Sequence, residues 1–284
     1  MLLPFNLDLS GKVAVVTGAG GILCSDFARA IAECGARVAL LDINFDAANA
    51  VAEEINKAGG FAVAIKTNCL EKESLIEAKR VVNEKLGPCD ILINGAGGNN
   101  PRATTVNEYF DEEAFANPEK QDFFSLSESG FKFVFDLNVT AAFLTTQVFA
   151  ADMVKEGRGG NIINISSMNA FRPLTKIPAY SAAKSAVSNF TQWLAVHFAN
   201  TGIRVNAIAP GFFVTNQNKA LLYNTDGTPT ERTDKILRGT PMRRFGESNE
   251  LIGSLLFFLC DAASSFVTGV VLPIDGGFSA YSGV

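Results

Sequence analysis

The feature that most constrains the fold lies at residues 12–42. Lys12-Val-Ala-Val-Val-Thr17 is a short, β-branched, apolar run. A strand with one wet face alternates apolar and polar residues. This one does not, so both faces are expected to be covered, as in a parallel sheet. Gly18-Ala-Gly-Gly-Ile-Leu-Cys24 follows and leads into a helical pattern from about Ile22 to Cys34. A second apolar strand, Ala36 to Leu41, ends at Asp42. Together these segments read as a strand–helix–strand unit with a glycine-rich first turn.

The rhythm continues along the chain. A helix is expected at about 45–58, a strand at 61–66, a helix at 71–86 and a strand at 89–94, which runs into Gly95-Ala-Gly-Gly98. Residues 99–130 break the pattern with a polar, aromatic, weakly periodic insert, which suggests a lid or surface decoration. A long helical pattern then runs from Phe131 to about Lys155 and contains Asn138. A buried strand at 161–165, a helix from Ala179 to about Asn200 and a strand at 203–209 follow. Residues 212–245 read as a loop-rich substrate segment. A helix near 247–260, a strand from Val270 to Ile274 and Asp275-Gly-Gly277 close the chain. The fold class is therefore α/β: one Rossmann-type, doubly wound parallel sheet of about seven strands with helices on both faces, a single domain over 1–284. At 284 residues and 48% hydrophobic content, the chain can bury the core this requires.

Charge and cysteine usage narrow the function. A net charge of −5 with no Lys/Arg cluster argues against nucleic acid as a partner. Five scattered cysteines without a C-x-x-C pattern suggest free thiols in a reducing, cytoplasmic compartment. The N-terminal residues lack the cationic and apolar regions of a signal peptide. The apolar run Leu255 to Cys260 is too short to span a bilayer, so no membrane role is expected. With one histidine, His197, and no G-x-S-x-G elbow, neither a Ser-His-Asp site nor a His/Cys metal centre is expected.

The first strand–turn–helix is the setting in which a dinucleotide pyrophosphate binds, with Gly18, Gly20, Gly21, Ile22 and Leu23 at the helix N-terminus. Asp42, at the end of the second strand, is placed to accept hydrogen bonds from the adenosine ribose and to repel a 2′-phosphate. Ile43 and Asn44 follow, with no cation for that phosphate, so NAD is expected rather than NADP. A helix N-cap is the alternative role for Asp42. Glycines at 95, 97 and 98 allow a backbone to approach a ligand at the end of the fourth strand, or make a simple turn.

Chemistry is suggested by Asn164 to Lys184. Its strand ends at Ser166 and Ser167, a loop with Pro173 and Pro178 follows, and a helix opens with Tyr180 and Lys184. Four residues apart on a helix, these two share a face. An ammonium beside a phenol favours the phenolate and lowers its pKa toward the working range. With a serine hydroxyl aimed at the same oxygen, the set suits reduction of a carbonyl or oxidation of an alcohol. Taken alone, Tyr-x-x-x-Lys reads first as a surface pair at the start of a helix; its company elsewhere in the chain changes that reading.

With Thr17-Gly18 and its turn, Asp42, Asn94-Gly-Ala-Gly97, Asn138, Ser167, Tyr180-x-x-x-Lys184, Pro210-Gly211 and Asp275-Gly-Gly277 in order, the chain resembles the short-chain dehydrogenase/reductase family over its whole length. The family's usual turn is Thr-Gly-x-x-x-Gly-x-Gly. Here Ile22 and Cys24 stand where the last two glycines belong. The Gly-Gly-Ile-Leu-Cys combination and the insert look most like the branch that interconverts D-mannonate and D-fructuronate with NAD(H).

The resemblance implies that Tyr180 is the general acid or base, that Ser167 donates to the substrate oxygen, that Lys184 tunes Tyr180, and that Asn138 holds a relay water. It implies cofactor contacts from Asn68, Cys69, Asn94, Gly95, Ala96, Gly97, Tyr180, Lys184, Pro210, Gly211, Phe213 and Thr215. A sugar-acid substrate would draw on Asn99, Arg102, Asn169, Arg172, Lys176 and Asn216, with Arg172 favoured for its carboxylate. Other polyol, gluconate or 3-oxoacyl dehydrogenases, and a nucleotide-sensing protein, share the scaffold. The resemblance also implies a homo-oligomer, a tetramer or dimer, formed through the helices bearing Phe143, Phe149 and residues 179–190.

Overall fold

The computed structural model describes residues 7–155, 157–214 and 222–283. Seven parallel strands form one sheet in the order β3-β2-β1-β4-β5-β6-β7. They are β1 (Val13–Thr17), β2 (Arg37–Asp42), β3 (Phe61–Lys66), β4 (Ile91–Asn94), β5 (Gly160–Ile165), β6 (Ile203–Pro210) and β7 (Val271–Ile274). Between them run α1 (Ile22–Glu33), α2 (Phe45–Lys57), α3 (Lys72–Lys85), α4 (Glu112–Ala116), α5 (Glu128–Phe135), α6 (Ala141–Lys155), α7 (Pro178–His197), α8 (Glu231–Gly239) and α9 (Ile252–Leu259).

The unbroken apolar strands are covered on both faces, as their composition requires. Successive residues point to opposite sides. Ala14, Val16, Val38, Leu40, Ile91 and Ile93 pack with Phe27 and Ile31 of α1, Val51 and Ile55 of α2, and Leu255 and Phe258 of α9. Val13, Val15, Leu41, Leu92 and Ile162 pack with Leu75 and Val82 of α3, Phe149 and Met153 of α6, and Leu194 of α7. β1 pairs with β2 on one side and β4 on the other. The strand order therefore reverses beside β1, and the carboxyl ends of β1 and β4 open a crevice there.

The irregular segments hold more order than their sequence suggests. Ser127 caps α5 by accepting from the Gly130 N–H at 3.2 Å, so this helix starts before Phe131. A Cβ on Gly130 would lie 2.7 Å from Arg102 Cβ, so the insert packs hard on α5. The insert is tied to the loop before α7 by Thr105 N–H donating to the Lys176 carbonyl at 2.8 Å. It is tied to α8 by Lys235 and Glu108 at 3.0 Å. α8 itself has only Thr233 and Ile236 buried, too sparse an apolar stripe to mark a helix within the stretch read as loop.

The continuous helical stretch Glu128–Lys155 is long and apolar enough to cross a bilayer by length and composition. Here it is a core helix, with Ala141, Val148, Phe149, Ala150 and Met153 against the sheet.

Candidate active site

The β1/β4 crevice is lined by the glycine turn. Gly18 has φ +65°, a left-handed conformation that glycine adopts without a Cβ penalty. A Cβ there would lie 3.0 Å from the Ala96 backbone, so the two ligand-edge turns touch. Thr17 joins them further: its hydroxyl accepts from the N–H groups of Gly95 (3.0 Å) and Ala96 (3.2 Å) and donates to the Ile93 carbonyl (3.3 Å). Gly21 caps α1 with no side-chain acceptor, leaving the first-turn N–H groups, including those of Ile22 and Leu23, without intrahelical partners. Such a helix end attracts an anion. Asp42 accepts from Gly20 N–H at 2.9 Å and Asn44 N–H at 2.8 Å, so its carboxylate also holds the turn in shape. The N-cap of α2 is Asn44 and not Asp42.

At the end of β5 the two serines part ways. The Ser166 hydroxyl lies 3.2 Å from the Lys184 carbonyl and 2.7 Å from Ser188 Oγ, fastening the strand to α7. Ser167 faces the Tyr180 phenol and opposes its pKa rise. Burial prevails, however, and pushes Tyr180 up to about 12, where the sequence suggested a pKa lowered by Lys184. Lys184 is 4% exposed, donates to the Ile165 carbonyl at 2.8 Å, and sits 5.5 Å from the Tyr180 ring centroid. Burial lowers its pKa to about 8, with the Cys24 thiol slightly opposing. The phenol is thus protonated at neutral pH and the amine is near its titration point.

Asn138 lies in a π-helical turn, Asp136–Thr140, joining α5 to α6. Its Nδ2 donates to Gly98 O (2.7 Å) and Val134 O (2.8 Å), and its Oδ1 accepts from Gly98 N–H (3.2 Å). A Cβ on Gly97 would stand 2.7 Å from Asn138 Oδ1 and 3.2 Å from Lys184 Nζ. Gly97 therefore sits where β4, the π turn and α7 converge.

A model of short chain dehydrogenases matches residues 12–225 of this ordered set. The chain belongs to the short-chain dehydrogenase family. A Haemophilus influenzae protein provisionally assigned as a D-mannonate oxidoreductase has been solved with bound NAD. It is 59% identical, with TM-score 0.94 and coverage of 99% of each chain. The chain is 50% identical to an uncharacterised oxidoreductase of Bacillus subtilis, UxuB, over 100% of both proteins. It is 35% identical to the Escherichia coli 7α-hydroxysteroid dehydrogenase over 96% of both.

The departure from the family's glycine turn has a local answer. A Cβ on Gly95 would fall 2.1 Å from Cys24 Sγ and 2.8 Å from the Thr17 carbonyl. The Cys24 side chain fills the space that glycine 95 vacates, so helix and sheet remain close. Burial pushes this thiol up to about 12.

Other predicted residues are placed as follows. Asn94 Nδ2 bonds Thr146 and Asn164, and Asn164 bonds Thr191, a buried network bracing β4, β5, α6 and α7. The Asn68 side chain bonds Glu71 and the Leu70 N–H, while Cys69 is buried beside it. Pro210 ends β6, the Gly211 N–H donates to Ile274 O at 2.9 Å, and Phe213 is 6% exposed in the core. Asn99 bonds Thr104 within the insert. Arg102 is exposed. Arg172 donates to the Tyr281 carbonyl at 2.8 Å, tying the loop to the C-terminal segment. Lys176 is half-buried with φ +71°, an uncommon conformation for a side-chain-bearing residue. Asn169 is buried beside Ser167. Thr215 and Asn216 lie outside the described residues. Thr17 was overlooked as a site residue; its place directly before the turn was the available signal.

Proposed function

We propose that this protein is an NAD-dependent oxidoreductase interconverting a secondary alcohol and a ketone on a sugar acid, D-mannonate and D-fructuronate in particular. The assignment rests on one observation: Ser167, Tyr180, Lys184 and Asn138 converge at the carboxyl edge of the sheet, directly beside the glycine turn. The mannonate choice is supported by the 59%-identical relative with NAD bound.

The free first-turn N–H groups of α1 fit a pyrophosphate, and Asp42 fits a ribose diol while disfavouring a 2′-phosphate. When bound, NAD(H) accepts or supplies the hydride. The protein positions the reacting carbon and handles the proton. In reduction, Tyr180 gives its hydroxyl proton to the substrate oxygen while Ser167 donates a hydrogen bond to the same atom. The Lys184 ammonium stabilises the phenolate that forms. An amine with a pKa of about 8 exchanges protons readily near neutrality, and Asn138 holds a water that links it to solvent.

For the carboxylate we favour Lys176, with Arg102 second. Its ammonium makes no hydrogen bond or ion pair among the described residues, whereas the Arg172 guanidinium is engaged with Tyr281. The chain also assembles with copies of itself in this reading. Trp193 and Val196 of α7 and Phe143 of α6 are 57%, 79% and 45% exposed, and Phe190, Trp193 and His197 stack along one face. The five free cysteines suit a reducing cytoplasm.

The test is a panel of D-mannonate, D-gluconate, polyols and acyl thioesters, followed by NADH absorbance. Turnover highest with mannonate is expected. Turnover confined to polyols or thioesters would overturn the sugar-acid assignment.

A further inference from the structure

Among the described residues, three buried asparagines, Asn94, Asn161 and Asn169, have an Oδ1 without a partner; Asn94 still donates twice through Nδ2, and Asn161 lies at the amino end of β5, away from the site. Asn138, Asn164 and Asn206 each donate through Nδ2 and accept through Oδ1. Asn169 does not. It is 3% exposed, its Oδ1 is buried without a partner, and its Nδ2 makes no hydrogen bond either. Its backbone N–H, in contrast, is engaged: it donates to Ser167 Oγ at 3.3 Å. The backbone of Asn169 is therefore tied directly to the hydroxyl that meets the reacting oxygen.

A buried amide oxygen with no partner carries its desolvation penalty. Packing does not explain it, since an apolar residue of similar volume would fill the space without that penalty. A ligand group that arrives with the substrate would remove it. The amide is neutral and offers both a donor and an acceptor. A carboxylate or a ketone gives it nothing to accept. An alcohol, which donates and accepts, satisfies it in either orientation.

We infer that Asn169 is a specificity-determining residue that hydrogen-bonds the substrate hydroxyl on the carbon next to the one oxidised. The inference rests on the sugar-acid reading above and sharpens it: the enzyme selects a vicinal diol, not an isolated secondary alcohol. A site built to bond a hydroxyl discriminates strongly against the analogue lacking it, because the protein group is then left unpaired.

The experiment compares kcat/KM for D-mannonate and for the same acid lacking that neighbouring hydroxyl, in wild type and Asn169→Leu. The ratio between the two acids is expected to fall by about 10–100-fold in the variant, the effect of losing one buried hydrogen bond and its unpaired remainder. The unfolding temperature of the ligand-free variant is expected to rise, because an unpartnered polar group has been removed. An unchanged ratio would overturn the inference. So would a lowered unfolding temperature with both acids equally impaired, which would mark Asn169 as structural. Should the wild type prefer gluconate to mannonate, the substrate assignment fails. The same ratio, measured with gluconate and its deoxy analogue, still decides the role of Asn169.

Discussion

Replacing Lys184 with methionine is expected to abolish turnover and yet stabilise the free protein at neutral pH. The ammonium is 4% exposed and its pKa falls from 10.5 to about 8 through burial. At roughly 1.4 kcal/mol per pH unit, holding it charged costs about 3 kcal/mol. Methionine keeps the stem but leaves the Ile165 carbonyl without its donor, which takes back about 1–2 kcal/mol. The net gain at pH 7 is then about 1–2 kcal/mol.

The sign of the pH dependence is specific. Below pH 8 the lysine is charged in both folded and unfolded chains, and the folded state bears the whole cost. Between about 8 and 10.5 the folded state releases the proton while the unfolded chain keeps it, so the wild type gains stability. By linkage this gain is about 2 kcal/mol from pH 7 to 9.5, and the variant lacks it. Buried thiols act oppositely: Cys24 and Cys69, pushed up to about 12 and about 11, withdraw stability above pH 9 from both proteins. The difference between wild type and variant isolates Lys184. Urea unfolding of both at pH 7.0 and 9.5 measures it. A difference that stays flat with pH would refute a buried, reluctantly charged ammonium.

Three further outcomes are expected. Tyr180→Phe lowers kcat by at least 10²–10⁴-fold with little change in KM for NAD, measured by steady-state kinetics; near wild-type turnover would remove the acid–base role. Gly95→Ala destabilises by about 1–3 kcal/mol and raises KM for NAD, because the new methyl meets Cys24 Sγ and the Thr17 carbonyl. Adding Cys24→Gly restores part of both, since only the sulfur is relieved; no recovery in thermal unfolding would disprove the pairing. Asp42→Ala loses the ribose acceptor and the Gly20 tether, so the NAD-to-NADP ratio of kcat/KM falls at least tenfold; an unchanged ratio would place cofactor choice elsewhere.

Much of the fold was legible because its signals are local. Unbroken apolar strands such as Val13–Thr17, the glycines after them and the i,i+4 face of Tyr180 and Lys184 can be read within a few residues of each other. The insert read as weakly periodic because its helix Glu112–Ala116 is short and its ties to Lys176 and Lys235 are non-local. α8 was missed because the segment is mostly charged and polar, so its short apolar side, with Ile236 its one buried apolar residue, is a weak signal. In the site, the family resemblance pointed to Ser167 of the two serines, and the structure shows Ser166 engaged with α7. The favour shown to Arg172 failed to anticipate its bond to Tyr281, 109 residues away.

By itself the sequence determined the order of strands and helices, the crevice-forming glycine turn, the acidic residue at the end of the second strand, and the phenol and amine on one helical face. Each is a statement about neighbours in the chain. Only the tertiary structure decided the ionisation of that phenol and amine, the π turn that brings Asn138 to Gly97, the accommodation of Cys24 against Gly95, and the unpaired amide of Asn169. These depend on which distant groups exclude water from a side chain and which hydrogen-bond partners reach it. Spacing along the chain carries no record of either.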